Sequence, residues 1–274
     1  MKTSSLPLSR NLSDSYAISA MVIALTAIAS LAGIYFSSTI YPTQELRQAF
    51  VPNDWVNIIL AIPVLLGSMW LPQRGGLIGL LCLPGALFYV VYNYVAYAAA
   101  VPWGVISLLY LALVVLSVYT MIRLVASIDA NTVRQRLNGA VPARLSAGVL
   151  IGFGILFFLR AIGVIFNSHT TTDFAVAIAD LVITPAWIIG GVLLWRRTAL
   201  GYVFGAGLLF QASLLFIGLI IVLLIQPLLT TKLFVFADVA VIFIMGLFCF
   251  VPFGLFARGA NSQEHKGGHN ESRS

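Results

Sequence analysis

The sequence predicts an all-α polytopic membrane protein of eight transmembrane helices, and three observations carry that prediction. Of 274 residues, 60% are hydrophobic and 9% charged, where a soluble domain has about 45–50% apolar and 25% charged residues. Mean hydropathy is +1.00. Apolar runs recur along the whole chain, most near the roughly 20 residues that cross about 30 Å of hydrocarbon as a helix. The basic residues also segregate to one side of the spans. A water-soluble enzyme is excluded.

The spans are read at 17–37, 55–71, 77–99, 104–125, 146–166, 174–195, 199–225 and 233–257. Residues 1–16 form a polar tail with Lys2 and Arg10 ahead of the first run. That run has no small-x-small cleavage site, so it reads as a retained helix rather than a signal peptide. The second span is short, carries Pro63, and stops at the breaker Pro72-Gln73-Arg74-Gly75-Gly76. The chain divides into the tail 1–16, a four-helix half 17–125, a basic loop 126–145, a second four-helix half 146–258, and a disordered tail 259–274 rich in Gly and Ser.

With eight spans, Lys2, Arg10, Arg74, Arg123, Arg134, Arg136, Arg144, Arg196, Arg197, Arg258, Lys266 and Arg273 lie on one side and only Arg47 and Lys232 on the other. The positive-inside rule then predicts a plasma membrane protein with both termini cytoplasmic. The formal charge of +6 is explained by anionic headgroups at helix ends, and no nucleic-acid partner is expected. The 126–145 loop is expected to rest against headgroups.

An ungapped comparison of the chain with itself at an offset of 122 pairs Pro63, Leu71, Arg74, Gly79, Gly85, Leu87 and Phe88 with Pro185, Leu193, Arg196, Gly201, Gly207, Leu209 and Phe210. Four spans separate the two segments, so the halves would share one orientation, related by a pseudo-twofold along the membrane normal. The competing explanation is chance likeness between Gly- and Leu-rich helices.

Ionisable residues within spans cost about 2.5–3.5 kcal/mol each on insertion scales and mark candidate sites. Three are read here: Arg160, Asp180 and Asp238. Counted from their helix ends at 1.5 Å per residue, they share a layer roughly 8–10 Å below the outer surface. Helices 5 and 6 are joined by a short loop, which predicts an Arg160–Asp180 pair, with Asp238 either a second acceptor or unpaired. Tyr89, Tyr92, Asn93 and Tyr97 fall on one helical face. Tyr94 and Tyr97 read as aromatic-belt residues, while Tyr89 and Asn93 lie deeper. Thr184 precedes Pro185, whose ring leaves the carbonyl of Leu181 without its helical donor. Gln211 lies near mid-membrane. These groups predict an outward-opening polar pocket lined by helices 3, 5, 6 and 8. The segment 38–54 is expected to lie flat at the outer interface, with a lid over the pocket as the sharper reading.

No catalytic residues, metal site or cofactor are predicted. His169, His265 and His269 lie in loops or the tail, so no span carries haem or di-iron ligands. Cys82 and Cys249 are isolated in apolar helices, there is no phosphate-binding loop, and no G-x-G-D precedes Asp238 as an intramembrane aspartyl protease needs. The expected partners are the bilayer and a small polar or anionic solute, bound or transported through Arg160, Asp180, Asp238, Asn93, Tyr89, Tyr92, Thr184 and Gln211. The rival expectation is a noncatalytic assembly or sensory partner with a structural charge layer; a lipid-modifying enzyme comes third.

Overall fold

The computed structural model describes residues 6–8, 12–168 and 170–271, with only the backbone given for 262–271. Lys2, Arg10, His169 and Arg273 lie outside the described residues, as do the side chains of His265, Lys266 and His269. The elements are α1 (Ser13–Tyr35), the single turn α2 (Ser37–Ile40), α3 (Gln44–Val56), a π-helical segment (Asn57–Ala61), α4 (Ile62–Gln73), α5 (Leu77–Ala100), α6 (Val105–Ala126), α7 (Ala130–Leu137), α8 (Ala143–Asn167), α9 (Thr171–Trp195), α10 (Ala199–Leu229) and α11 (Phe236–Glu271). Among the described residues, eight helical units are long and apolar enough to cross a membrane, with α3, the π segment and α4 forming one of them. The chain is an all-α polytopic membrane protein. One end of the bundle carries the Arg74, Arg123, Arg134, Arg136, Arg144, Arg196, Arg197 and Arg258 side of each span, here the basic end; the other is the distal end.

The second span begins at Gln44 rather than 55, so the segment 38–54 does not lie flat at an interface. Local chemistry explains the early start. Thr43 caps the helix, its Oγ1 accepting from the Leu46 amide at 3.2 Å, and Glu45 sits in the first turn, where the helix dipole favours an anion. Leu46, Phe50, Asp54, Asn57 and Ala61 form one buried stripe. Pro52 would leave the Gln48 carbonyl unpaired, and the Gln226 amide of α10 donates to that carbonyl at 2.8 Å.

α5 is the central helix: 89% of its most apolar stretch is buried, against 17% for α8. A helix apolar on all sides belongs inside. Against α10 it approaches backbone to backbone, since a Cβ at Gly85 would fall on the carbonyl oxygen of Gly207. Small residues at such crossings are how membrane helices gain close packing.

The connections α4–α5 and α9–α10 end their helices in the same way. Gly76 N donates to Leu71 O at 3.1 Å and Gly75 N to Pro72 O at 2.9 Å; 122 positions on, Thr198 N donates to Leu193 O at 3.1 Å and Arg197 N to Leu194 O at 2.9 Å. Both are Schellman turns with a left-handed residue after the helix: Gly75 at φ 88° and Arg197 at φ 55°. Gly79 then packs on Leu71 and Pro72, and Gly201 on Leu193 and Leu194.

The basic loop carries a helix packed on the end of the bundle. α7 buries Val133 and Leu137 and packs against α10 and α11, and the Tyr202 hydroxyl donates to Asn138 Oδ1 at 3.1 Å. Its cap is Asp129, whose carboxylate accepts from the Asn131 amide at 3.1 Å and from the Thr132 amide and hydroxyl. These bonds, the Thr132 hydroxyl first, hold the Asp129 carboxyl below its ordinary value. A depressed folded pKa contributes stability above the ordinary carboxylate value and loses it as pH falls through the folded one. Protection of the α7 amides, taken relative to their intrinsic exchange rates, should therefore fall below about pH 4 in the native chain and already at neutral pH in Asp129→Ala; unchanged protection in that variant would remove the capping role. At the C-terminus α11 stays helical to Glu271, past residue 259 where an unstructured tail is expected; no proline follows Pro252 to stop it.

Candidate functional site

A cavity of about 610 Å³ opens between α3, α5, α8, α9, α10 and α11 in the distal half of the bundle. α3 and α10 join the helices 3, 5, 6 and 8 expected to line it. Of the eight residues proposed for the site, Arg160, Asp180, Tyr89, Tyr92 and Asn93 line the cavity. Thr184 and Gln211 stand behind its wall, and Asp238 is not in it.

Arg160 and Asp180 make the expected pair. Arg160 Nη1 donates to Asp180 Oδ2 at 2.9 Å, and the Tyr92 hydroxyl donates to Oδ1 at 3.2 Å. The carboxylate side chain is 7% exposed and the guanidinium side chain 46%. Asp180 is thus satisfied on both oxygens, while among the described residues Arg160 uses one N–H group and retains four donors. Counted along α8 and α9, the pair lies about 10–14 Å below the distal helix ends. Above it the wall mixes polar Asn53, Thr172, Asp173, Gln226 and Lys232 with apolar Val176, Leu219, Val222 and Leu223; below it the wall is Phe157, Ile183, Trp187, Phe216 and Met245. Phe157 meets Trp187 edge-on at 6.2 Å between ring centroids.

Thr184 and Gln211 act through others. The Thr184 hydroxyl donates to the Asp180 carbonyl at 2.8 Å, one residue before the Leu181 carbonyl that Pro185 leaves open. Gln211 Oε1 accepts from Trp187 Nε1 at 2.6 Å, which orients the indole in the cavity floor. Asn93 donates to Asn57 Oδ1 at 3.1 Å, tying α5 to the π segment.

Asp238 does not share the layer. It sits exposed in the first turn of α11, in an opening that adjoins the cavity at Leu223, Gln226 and Lys232. α11 starts at Phe236 rather than at 233, which leaves Asp238 in the first turn instead of deeper in the span.

A further ionisable side chain stands behind the cavity. Asp54 is 1% exposed and accepts from the Tyr41 hydroxyl at 2.8 Å and the Tyr97 hydroxyl at 2.9 Å. Asn53, on the cavity wall, donates to Tyr97 Oη at 3.1 Å. Gly33 of α1 makes the room, since a Cβ there would fall on Asp54 Oδ2. Tyr94 and Tyr97 are therefore core residues whose rings pack at a tilt against Tyr110, with centroids 5.5 and 5.2 Å away, and not members of an aromatic belt. Asp54 stands one residue before the expected span, so it was read as a loop residue; the i, i+4 stripe Phe50, Asp54 was the available signal.

Comparison with known proteins adds no further constraint: no protein-family model, no curated protein and no solved structure matches the chain.

Proposed function

We propose that this integral membrane protein binds a small anionic solute in the Arg160 cavity, as the recognition step of transport or of reception at the membrane. The observation that carries the reading is the unequal pair: a buried, doubly satisfied carboxylate beside a half-exposed guanidinium with donors to spare on a cavity wall. A pair that only held α8 to α9 would have no need of those donors or of the cavity. Asp180 offsets the positive charge when the site is empty, and a solute carboxylate or phosphoryl group takes the remaining N–H groups in charge-assisted bonds. Tyr89, Asn93 and the aromatic floor shape the rest.

The same proposal places the basic end in the cytoplasm of a plasma membrane and treats residues 17–125 and 146–258 as two repeats of one orientation. The matched Schellman turns at Gly75 and Arg197 and the Gly85–Gly207 crossing support the repeat. A transporter built from two such halves has its site at their interface.

The test is thermal unfolding of the purified protein with straight-chain carboxylates and alkyl phosphonates, with tetraalkylammonium salts as controls. A ligand at 100 times its Kd stabilises by about 2.7 kcal/mol, a shift of several degrees. Anions should raise the midpoint, Arg160→Gln should abolish the response, and Arg123→Gln, at the basic end, should keep it. An anion response that survives Arg160→Gln, or no response to any anion, refutes the reading.

A further inference from the structure

The cavity is closed on one side and open on another, and the difference concerns what can enter. On the α3 side polar bonds lace the distal end shut: Glu45 Oε1 accepts from the Thr172 amide at 2.8 Å, Gln226 donates to Gln48 O at 2.8 Å, and Gln48 donates to Thr231 Oγ1 at 2.9 Å. On the opposite side, α8 and α11 meet at Phe153 and Phe248, with ring centroids 6.5 Å apart. Distal to that contact, no residue from 236 to 245 of α11 is buried, whereas Gly246, Cys249, Pro252 and Phe256 are. On α8, Leu156 and Arg160 both line the cavity and remain exposed. The gap between these helices is rimmed by Leu156, Ile242 and Met245, apolar side chains suited to hydrocarbon rather than to water.

Resting on the anion-site reading above, the geometry points to a membrane lipid with an anionic headgroup as the ligand, entering sideways between α8 and α11 from the distal leaflet. Two independent features fit that occupant. The charged groups of the cavity, Arg160, Asp173, Asp180 and Lys232, stand toward the surface with apolar Leu219, Val222 and Leu223 beside them, and Phe157, Trp187 and Phe216 stand toward the midplane, the sense in which a distal-leaflet lipid runs. The depth also fits: Arg160 lies about 10 Å in, where a headgroup drawn beneath the surface keeps its chains in hydrocarbon while the guanidinium replaces its lost hydration. A solute that came from water on the α3 side would have to part the Glu45–Thr172 and Gln226–Gln48 bonds.

Trp187 reports the outcome, because it is 2% exposed and faces the cavity. A chain with Trp55, Trp70, Trp103 and Trp195 changed to Phe keeps it as the only tryptophan. That chain is placed in nanodiscs of phosphatidylcholine containing either phosphatidylglycerol or phosphatidylcholine with dibrominated acyl chains, which quench indoles at short range. Quenching should be stronger with the brominated phosphatidylglycerol, and Arg160→Gln should weaken its apparent affinity roughly tenfold or more; quenching by surrounding lipid would not depend on Arg160. If headgroup-selective quenching is absent while 6-bromohexanoate in the buffer quenches Trp187 in an Arg160-dependent way, lateral entry is wrong and the anion site stands. If neither probe quenches through Arg160, both readings fall. Native mass spectrometry of the unsubstituted chain checks the result without the four Phe changes: anionic lipid should survive delipidation in the parent chain and be lost in Arg160→Gln, and equal retention overturns the proposal.

Discussion

Gly85→Ala is expected to destabilise the bundle far more than Gly207→Ala, although the two glycines face each other across one helix crossing. A Cβ on residue 85 falls on the Gly207 carbonyl oxygen, with the carbonyl carbon at 2.8 Å and Cα at 3.0 Å. All three are backbone atoms of α10, and none can rotate away. A Cβ on residue 207 meets Leu81 O at 3.1 Å and Gly85 N at 3.4 Å, which a shift of a few tenths of an ångström relieves. Overpacking costs about 1–3 kcal/mol and more where nothing gives, so Gly85→Ala should sit at or above that upper bound, with a midpoint lowered by on the order of 10 °C. Gly207→Ala should cost about 1 kcal/mol or less. Thermal unfolding followed by fluorescence-detected size exclusion measures both, and equal losses would mean that the α5–α10 approach is looser than described.

The second large effect is expected at the Arg160–Asp180 pair. Arg160→Ala leaves a carboxylate that is 5% exposed with only Tyr92 as donor. Breaking a buried pair from one side costs about 3–5 kcal/mol; the half-exposed guanidinium lowers the expectation to about 2–4. Adding Asp180→Asn removes the stranded charge and should restore most of that loss, whereas adding Asp238→Asn should restore nothing. Tyr92→Phe alone should cost about 0.5–1.5 kcal/mol. Folded yield and unfolding midpoint of the four variants decide it. Rescue by Asp238→Asn would place the guanidinium against α11 and undo the description of the site.

The pair was legible because the short connection 167–173 between the expected spans forces the two helices to be antiparallel neighbours, and charges in apolar helices seek one another. Asp238 was misplaced because depth was counted from helix ends, and α11 carries an exposed distal third that no sequence period reveals. Asp54 was missed for a different reason. Hydropathy averages a window, and Gln44, Glu45, Arg47, Gln48, Asn53 and Asp54 pull the average down. Their polarity is absorbed individually: by the Thr172 amide on Glu45, by Gln226 and Thr231 around Gln48, by the Tyr41 and Pro42 carbonyls that Arg47 bonds at 3.0 and 3.1 Å, and by Tyr41 and Tyr97 on Asp54. All of those partners but Tyr41 and Pro42 lie far along the chain, which is why composition alone could not find them. The tyrosines near 97 read as a belt for the same reason, since a hydroxyl at a helix end bonds water or a buried acid equally well.

The π segment at Asn57–Ala61 carries a consequence for how this span tolerates change. A π turn holds one residue more than an α turn. Deleting one residue from it would restore an uninterrupted α ladder over nearly the same rotation, so Asp54 would keep facing Tyr41 and Tyr97 and Gln48 would keep facing Gln226, whereas a deletion elsewhere in α3 would turn everything before it by about 100°. The register match at an offset of 122 also begins just after this segment, at Pro63. The π turn thus lets this span carry its extra residue without turning the buried acid away from its tyrosines.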